Sequence, residues 1–210
     1  MYHKPYFKEK DEKEILQFMQ QHPFVILCGS DRNGVPEATH IPILIDQRND
    51  KLFLIGHISR KSSHHKAFEA NSNVLVIFTG PHSYVSASWY DDPQQASTWN
   101  YMTVHAKGRL RFLDESSLLN ILKQTTSHFE KSSNSPALFE KLPADYVASL
   151  SKAIIGFEIE VSTLENVFKL SQNRNEQSFD NIIAHLNDQD IEAKQVASEM
   201  LKRKSQIFSS

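Results

Sequence analysis

The chain holds one cysteine, Cys28, in 210 residues. A lone thiol excludes an internal disulfide framework and any cysteine-based zinc knuckle. Charge of one sign is also lacking. The net charge is −2 and the pI is near 6.5, so no overall basic field draws in nucleic acid. Long apolar runs are missing: the longest, "FVILC" and "LVIF", fall far short of the roughly 20 residues a membrane helix needs. The start, "MYHKPYFKEKDEKE", has no apolar stretch of the kind a secretion signal carries. These absences lead us to expect a soluble, cytoplasmic protein with no membrane partner. No GxSxG elbow, Walker loop, HExxH pair or post-strand GxGxxG occurs either. The 10 histidines bring no ligand spacing with them, and consecutive His64 and His65 cannot point one way on a helix. No metal site is expected. Cys28 sits inside an apolar strand and reads as a small buried hydrophobe.

What is present suits one domain with a real core: 40% of residues are hydrophobic and 23% charged. Residues 11–21 place Ile15, Phe18 and Met19 at i, i+3 and i+4, an amphipathic helix halted by Pro23. A strand-rich stretch follows: "FVILCG", a "DRNG" turn, "VPEATHIPILI", a "DQRND" turn and "KLFLIGH". Asn33-Gly34 supplies the positive φ angles a tight hairpin uses. A short helix capped by serine follows His57, and strands resume at "VLVIFTG" and "SYVSASW". Helices are predicted over residues 115–130 and 144–153, alternation returns in "IIGFEIEVSTLENVFKL", and residues 176–205 are helical. Six or seven short strands with few helices indicate a mainly β, α+β fold: a barrel with helices packed outside it.

The clearest strand is "STWNYMTVHAKGRLR", residues 97–111. Met102, Val104, Ala106, Leu110 and Phe112 fall on one parity, fit to fill a barrel interior. Tyr101, Thr103, His105, Lys107, Arg109 and Arg111 fall on the other. By periodicity alone that second face is an ordinary amphipathic outer face.

Two polar stretches carry candidate chemistry. In "GHISRKSS" a strand ends at His57 and a helix begins near Ser62 or Ser63, with Arg60 and Lys61 between. Free N–H groups of a first helical turn, the helix dipole and two cations make a phosphate site in physical terms. A solvated basic turn is the equal local alternative. "FKLSQNR" ends the last strand with Lys169, Ser171, Gln172, Asn173 and Arg174, which alone reads as a polar loop.

The blocks "HPF", "GVPEATHIPI", "GHISRKSSHHKAF", "FTGPHSYVSASWY", "TWNYMTVHAKGRL", "AIIGFEIEV" and "KLSQNR" resemble the PaiB-like family of FMN-binding negative transcriptional regulators. The likeness runs over roughly residues 1–185. More distantly, "SRK" after a strand is similar to the flavin-phosphate motif of pyridoxamine-5′-phosphate-oxidase-like split barrels. The resemblance implies a homodimeric split β-barrel over residues 1–175 that holds FMN in clefts at the subunit interface. Residues 176–210 would be a helical extension packed on or near the barrel. It places the flavin phosphate on Arg60 and Lys61 with Ser62 near. His57 faces the cofactor from the strand end, Thr39 and His40 run along the ring, and Asn100 lies near its edge. Lys169, Gln172 and Arg174 reach in from the other subunit. The oxidase's C-terminal substrate pattern is missing, so pyridoxamine-phosphate oxidation is not implied.

Three functions stay open: a flavin-bearing repressor, a small FMN-dependent oxidoreductase acting on a nicotinamide or other small substrate, and a DNA-binding module. The last lacks a recognition helix, since "KQVASEMLKRKSQ" carries only the short cluster Lys202–Lys204. Direct DNA contact therefore has no support in the sequence, although DNA or a regulatory protein would be the partner of a repressor. The oxidoreductase needs an acid or base over the flavin, for which only His40, His57 and His105 are candidates.

Overall fold

The computed structural model describes residues 1–2, 4–92 and 94–208. In chain order the elements are α1 (Glu12–Gln21), β1 (Phe24–Ser30), β2 (Pro36–Pro42), β3 (Leu44–Arg48), β4 (Lys51–Ser59), α2 (Ser63–Ala70) and β5 (Asn73–Val85). Then come β6 (Thr98–Phe112), α3 (Glu115–Glu130), α4 (Ala144–Ser151), β7 (Ile154–Lys169), α5 (Glu176–Asn187) and α6 (Ile191–Phe208). The strands form one sheet in the order β2-β1-β5-β6-β7-β4-β3. Strand β1 runs antiparallel to β2 and β5, and β4 runs antiparallel to β3 and β7.

The chain divides into two compact units. One comprises residues 1–19, 79–104 and 165–210; the other comprises residues 20–78 and 105–164. Strands β5, β6 and β7 contribute residues to both. The second unit buries Val25, Leu27, Leu54, Phe68, Phe157 and Ile159. Alternation on β6 matches expectation, with Ala106 and Leu110 buried here and Lys107 and Arg109 exposed. On β7, by contrast, residues 155–159 are all buried. Helix α3 explains this: Leu118 and Ile121 lie against Gly156, so both faces of β7 are covered there. Gly108 allows a close approach of strands, because a Cβ at that position would stand 2.3 Å from the Glu160 carbonyl oxygen.

In the first unit, Phe18, Met19, Val85, Met102, Phe168 and Phe179 are buried together with Val196 and Met200 of α6.

Four segments differ from expectation. The stretch 35–45 is two strands, broken at Ile43, whose N–H donates to the Pro23 carbonyl at 2.9 Å. The two strands expected around residues 74–89 are one thirteen-residue strand, β5, followed by a 3-10 turn at Ala87–Trp89. Residues 176–205 form two helices, because the Asp190 carboxylate accepts from the Ala193 N–H at 2.9 Å and starts α6 anew. The two-residue turn with positive φ is not Asn33-Gly34, where only Gly34 is left-handed (φ 79). Instead Asn49 and Asp50, with φ of 50° and 61°, join β3 to β4.

Candidate cofactor-binding site

The second unit carries the turn between β4 and α2. Ser62 caps α2: its Oγ accepts from the His65 N–H at 3.2 Å and donates to the Ser59 carbonyl at 2.8 Å. Lys61 takes a left-handed backbone, φ 62, and its N–H donates to Nδ1 of His65 at 3.1 Å. A side chain one helical turn ahead thus pins the strained residue from behind. The Arg60 N–H donates to the Ala153 carbonyl at 2.8 Å. Arg60 and Lys61 are exposed, and neither head group makes an ion pair or hydrogen bond among the described residues. Ser63 donates from Oγ to the Glu37 carboxylate at 2.9 Å, which puts one negative group at the edge of the cluster.

Two uncommitted cations beside a capped helix start are a donor set suited to a phosphate dianion. Neighbouring Thr39 and His40 lie on β2, paired with Leu27 and Ile26 of β1. Being consecutive in a strand, they point to opposite sides; His40 stacks on Phe24 with ring centres 6.2 Å apart. His57 on β4 is half-buried, and burial pushes its imidazole below the ordinary histidine range.

The first unit carries the other predicted residues. Asn100 is fully buried, as its shared parity with Met102 and Val104 requires. Its Oδ1 accepts from Ser171 Oγ at 3.1 Å and its Nδ2 donates to the Met200 sulfur at 3.5 Å. Ser171 is itself buried and left-handed, φ 62, so Asn100 fastens the turn of "KLSQNR" from inside. Gln172 folds back on that turn: its Nε2 donates to the Phe168 carbonyl at 2.5 Å and its Oε1 accepts from the Leu170 N–H at 2.7 Å.

Lys169 is half-buried and donates to Thr98 Oγ1; its ammonium lies 5.9 Å from the ring centres of Tyr2 and Phe7. Burial, and then the charge of Arg174, lower its pKa. Arg174 donates to the Gln95 side chain and lies 4.0 Å over the ring of Tyr90. Tyr90 is buried, and its hydroxyl has no hydrogen-bond partner among the described residues. The structure thus places Asn100, Lys169, Gln172 and Arg174 in one cluster and Arg60, Lys61 and Ser62 in another. Sequence reasoning missed Glu37, His65, Tyr90, Gln95 and Thr98, all of which touch one cluster or the other. His65 alone had a signal, its i+3 position after the Ser62 cap.

Residues 1–163 match the model of a family described as "Putative FMN-binding domain". Over 209 residues the chain is 37% identical to protease synthase and sporulation protein PAI 2 of Bacillus subtilis (strain 168), covering 99% of this chain and 100% of that protein. Among solved structures, the flavocytochrome Anf3 of Azotobacter vinelandii is similar with a TM-score of 0.59 and 16% identity, over 80% of this chain and 72% of that one. The FAD and heme binding protein of Mycobacterium smegmatis is similar with a TM-score of 0.56 and 16% identity, over 77% and 72%. At such identities the structural likeness carries the fold alone, a mainly β split barrel with flanking helices.

Proposed function

Because the chain belongs to the FMN-binding family that its residues 1–163 match, we propose that it is a PaiB-type, FMN-bearing negative regulator of transcription. Its cofactor is FMN. In this reading it works in the cytoplasm as a homodimer, with each flavin held where two subunits meet.

The observation that carries the reading is the turn at Arg60, Lys61 and Ser62. Two exposed cations without partners among the described residues stand at a capped helix start, which is what a terminal phosphate needs. The phosphate is assigned to these three residues, and β2 runs along the ring at Thr39 and His40, one of whose side chains faces it. Lys169, Gln172 and Arg174 of the partner subunit complete the site, while Asn100 holds their turn in shape. When bound, the flavin supplies a reversible redox centre. The chain's own residues anchor the phosphate, orient the ring and shield it from water.

Lys202, Arg203 and Lys204 speak against α6 as a reader of DNA. Lys202 pairs with Glu199 at 2.5 Å, Arg203 with Glu199, Glu14 and Glu9, and Lys204 with Asp180 and Glu176. A neutralised cluster offers little field to a phosphate backbone. Repression in this reading therefore acts through another surface or through a partner protein.

The experiment is complementation between two defective variants, Arg60→Ala with Lys61→Ala and Lys169→Ala with Arg174→Ala. A mixed dimer should hold one doubly damaged and one intact site, and recover about half the FMN capacity, as two-fold geometry requires. Mixed dimers with no intact site would place both clusters in one subunit's pocket.

A further inference from the structure

The compact unit that carries the phosphate turn also holds a cavity lined by none of Arg60, Lys61 and Ser62. It measures about 310 Å³ and is lined by Leu122, Phe139, Val147, Leu150 and Ile154, with His57 among them. Its size is at the lower end of small-molecule sites, which run from about 300 Å³ upward. Thr126, also in the lining, has a committed hydroxyl: it accepts from the Phe139 N–H at 3.2 Å and donates to the Lys123 carbonyl at 3.1 Å. Tyr146 stands half-exposed in the same lining. The imidazole of His57 has no hydrogen-bond partner among the described residues.

We propose that this cavity binds a small, uncharged ring compound whose single hydroxyl pairs with the His57 imidazole. The lining contains no lysine, arginine, aspartate or glutamate, so a charged ligand would lose its hydration with no countercharge in return. A ring compound fits within a cavity of this size, and one hydroxyl satisfies the half-buried imidazole left open among the described residues. Burial lowers the pKa of His57, so near neutral pH it meets the ligand as a neutral donor and acceptor.

Occupancy has a route to the flavin turn. Ala153 lines the cavity, and its carbonyl holds the Arg60 N–H at 2.8 Å. Ile154 lines it too and pairs with Ser59 in the sheet. The ligand is thereby cast as an effector of FMN binding. This second step rests on the flavin reading above; the binding step does not.

The test uses the full chain without flavin, titrated with 4-methylphenol and with toluene, its isostere lacking the hydroxyl. The His57 ring-proton resonances and calorimetry are followed together. Saturable 1:1 binding is expected, with 4-methylphenol about tenfold tighter than toluene, the yield of one neutral hydrogen bond. His57→Phe should make the two ligands equal. Val147→Trp, or Leu150→Trp if the first variant unfolds, should remove binding of both by filling the space. No saturable binding, equal affinities in the wild type, or binding that survives the filled cavity would overturn the site. FMN titration with 4-methylphenol present should then give a changed affinity. An unchanged value alongside intact binding overturns the coupling alone, and absence of FMN binding would count only against the flavin reading.

Discussion

Removing the Asn100 amide should cost more than any surface change in the "KLSQNR" cluster, and a double-mutant cycle with Ser171 should show why. In the folded chain Ser171 Oγ donates to Asn100 Oδ1 at 3.1 Å, and both residues are buried, 2% and 0% exposed. Asn100→Ala leaves the Ser171 hydroxyl without its acceptor, a penalty of about 1–3 kcal/mol, and leaves a small cavity beside Met200. We expect a loss of about 2–4 kcal/mol in total. Ser171→Ala strands the Asn100 carbonyl instead and should cost about 1–3 kcal/mol. Removing both partners leaves neither one orphaned, so the double variant should be little worse than Asn100→Ala alone. The coupling should then be close to the cost of Ser171→Ala alone, about 1–3 kcal/mol. Urea unfolding of all four proteins supplies the numbers. Losses that add within about 0.5 kcal/mol would mean that the pair does not hold the turn.

Glu158 is buried between Arg48 at 2.9 Å and Arg111 at 2.6 Å. Burial alone would raise its carboxyl, but the hydrogen bonds from Arg48 and Arg111 together outweigh it and hold the pKa below the ordinary range. That stability is present above about pH 4.3 and lost as pH falls through the lower folded value. Glu158→Gln should therefore cost about 1–2 kcal/mol at pH 7, a figure reduced for the exposure of both arginines, and the gap to wild type should narrow in acid. Denaturant midpoints across pH test this, and a constant gap would contradict it. Gly108→Ala forces a methyl against the Glu160 carbonyl oxygen, 2.3 Å from an ideal Cβ. Backbone cannot swing aside as a side chain does, so about 1–3 kcal/mol should be lost; an unchanged thermal midpoint would show that the strands separate freely.

Much of the fold was legible because one face of each element meets the core and the other does not. β6 obeys its parity, α3 spans the predicted residues 115–130, and α1 follows its i, i+3, i+4 pattern. What escaped depended on tertiary cover. Residues 155–159 of β7 lose their alternation because α3 lies on the second face, which no local pattern announces. The break at Ile43 comes from its bond to Pro23, twenty residues away. At the site, the Ser62 cap and the cations beside it could be read locally, whereas Tyr90 and Gln95 reach Arg174 from about eighty residues earlier. The burial of Asn100 was there to be read: its parity is that of Met102.

The central claim is that a terminal phosphate is what Arg60, Lys61 and Ser62 hold, and equilibrium titration of the apoprotein with FMN and riboflavin tests it most directly. The account predicts that FMN binds much more tightly than riboflavin. It predicts that Arg60→Ala with Lys61→Ala costs FMN about 3 kcal/mol, at about 1.5 kcal/mol for each charged hydrogen bond, or roughly a hundredfold or more in affinity. Riboflavin binding should be unmoved by the same change. Riboflavin that binds the wild type as tightly as FMN, or a double variant with wild-type FMN affinity, would contradict it.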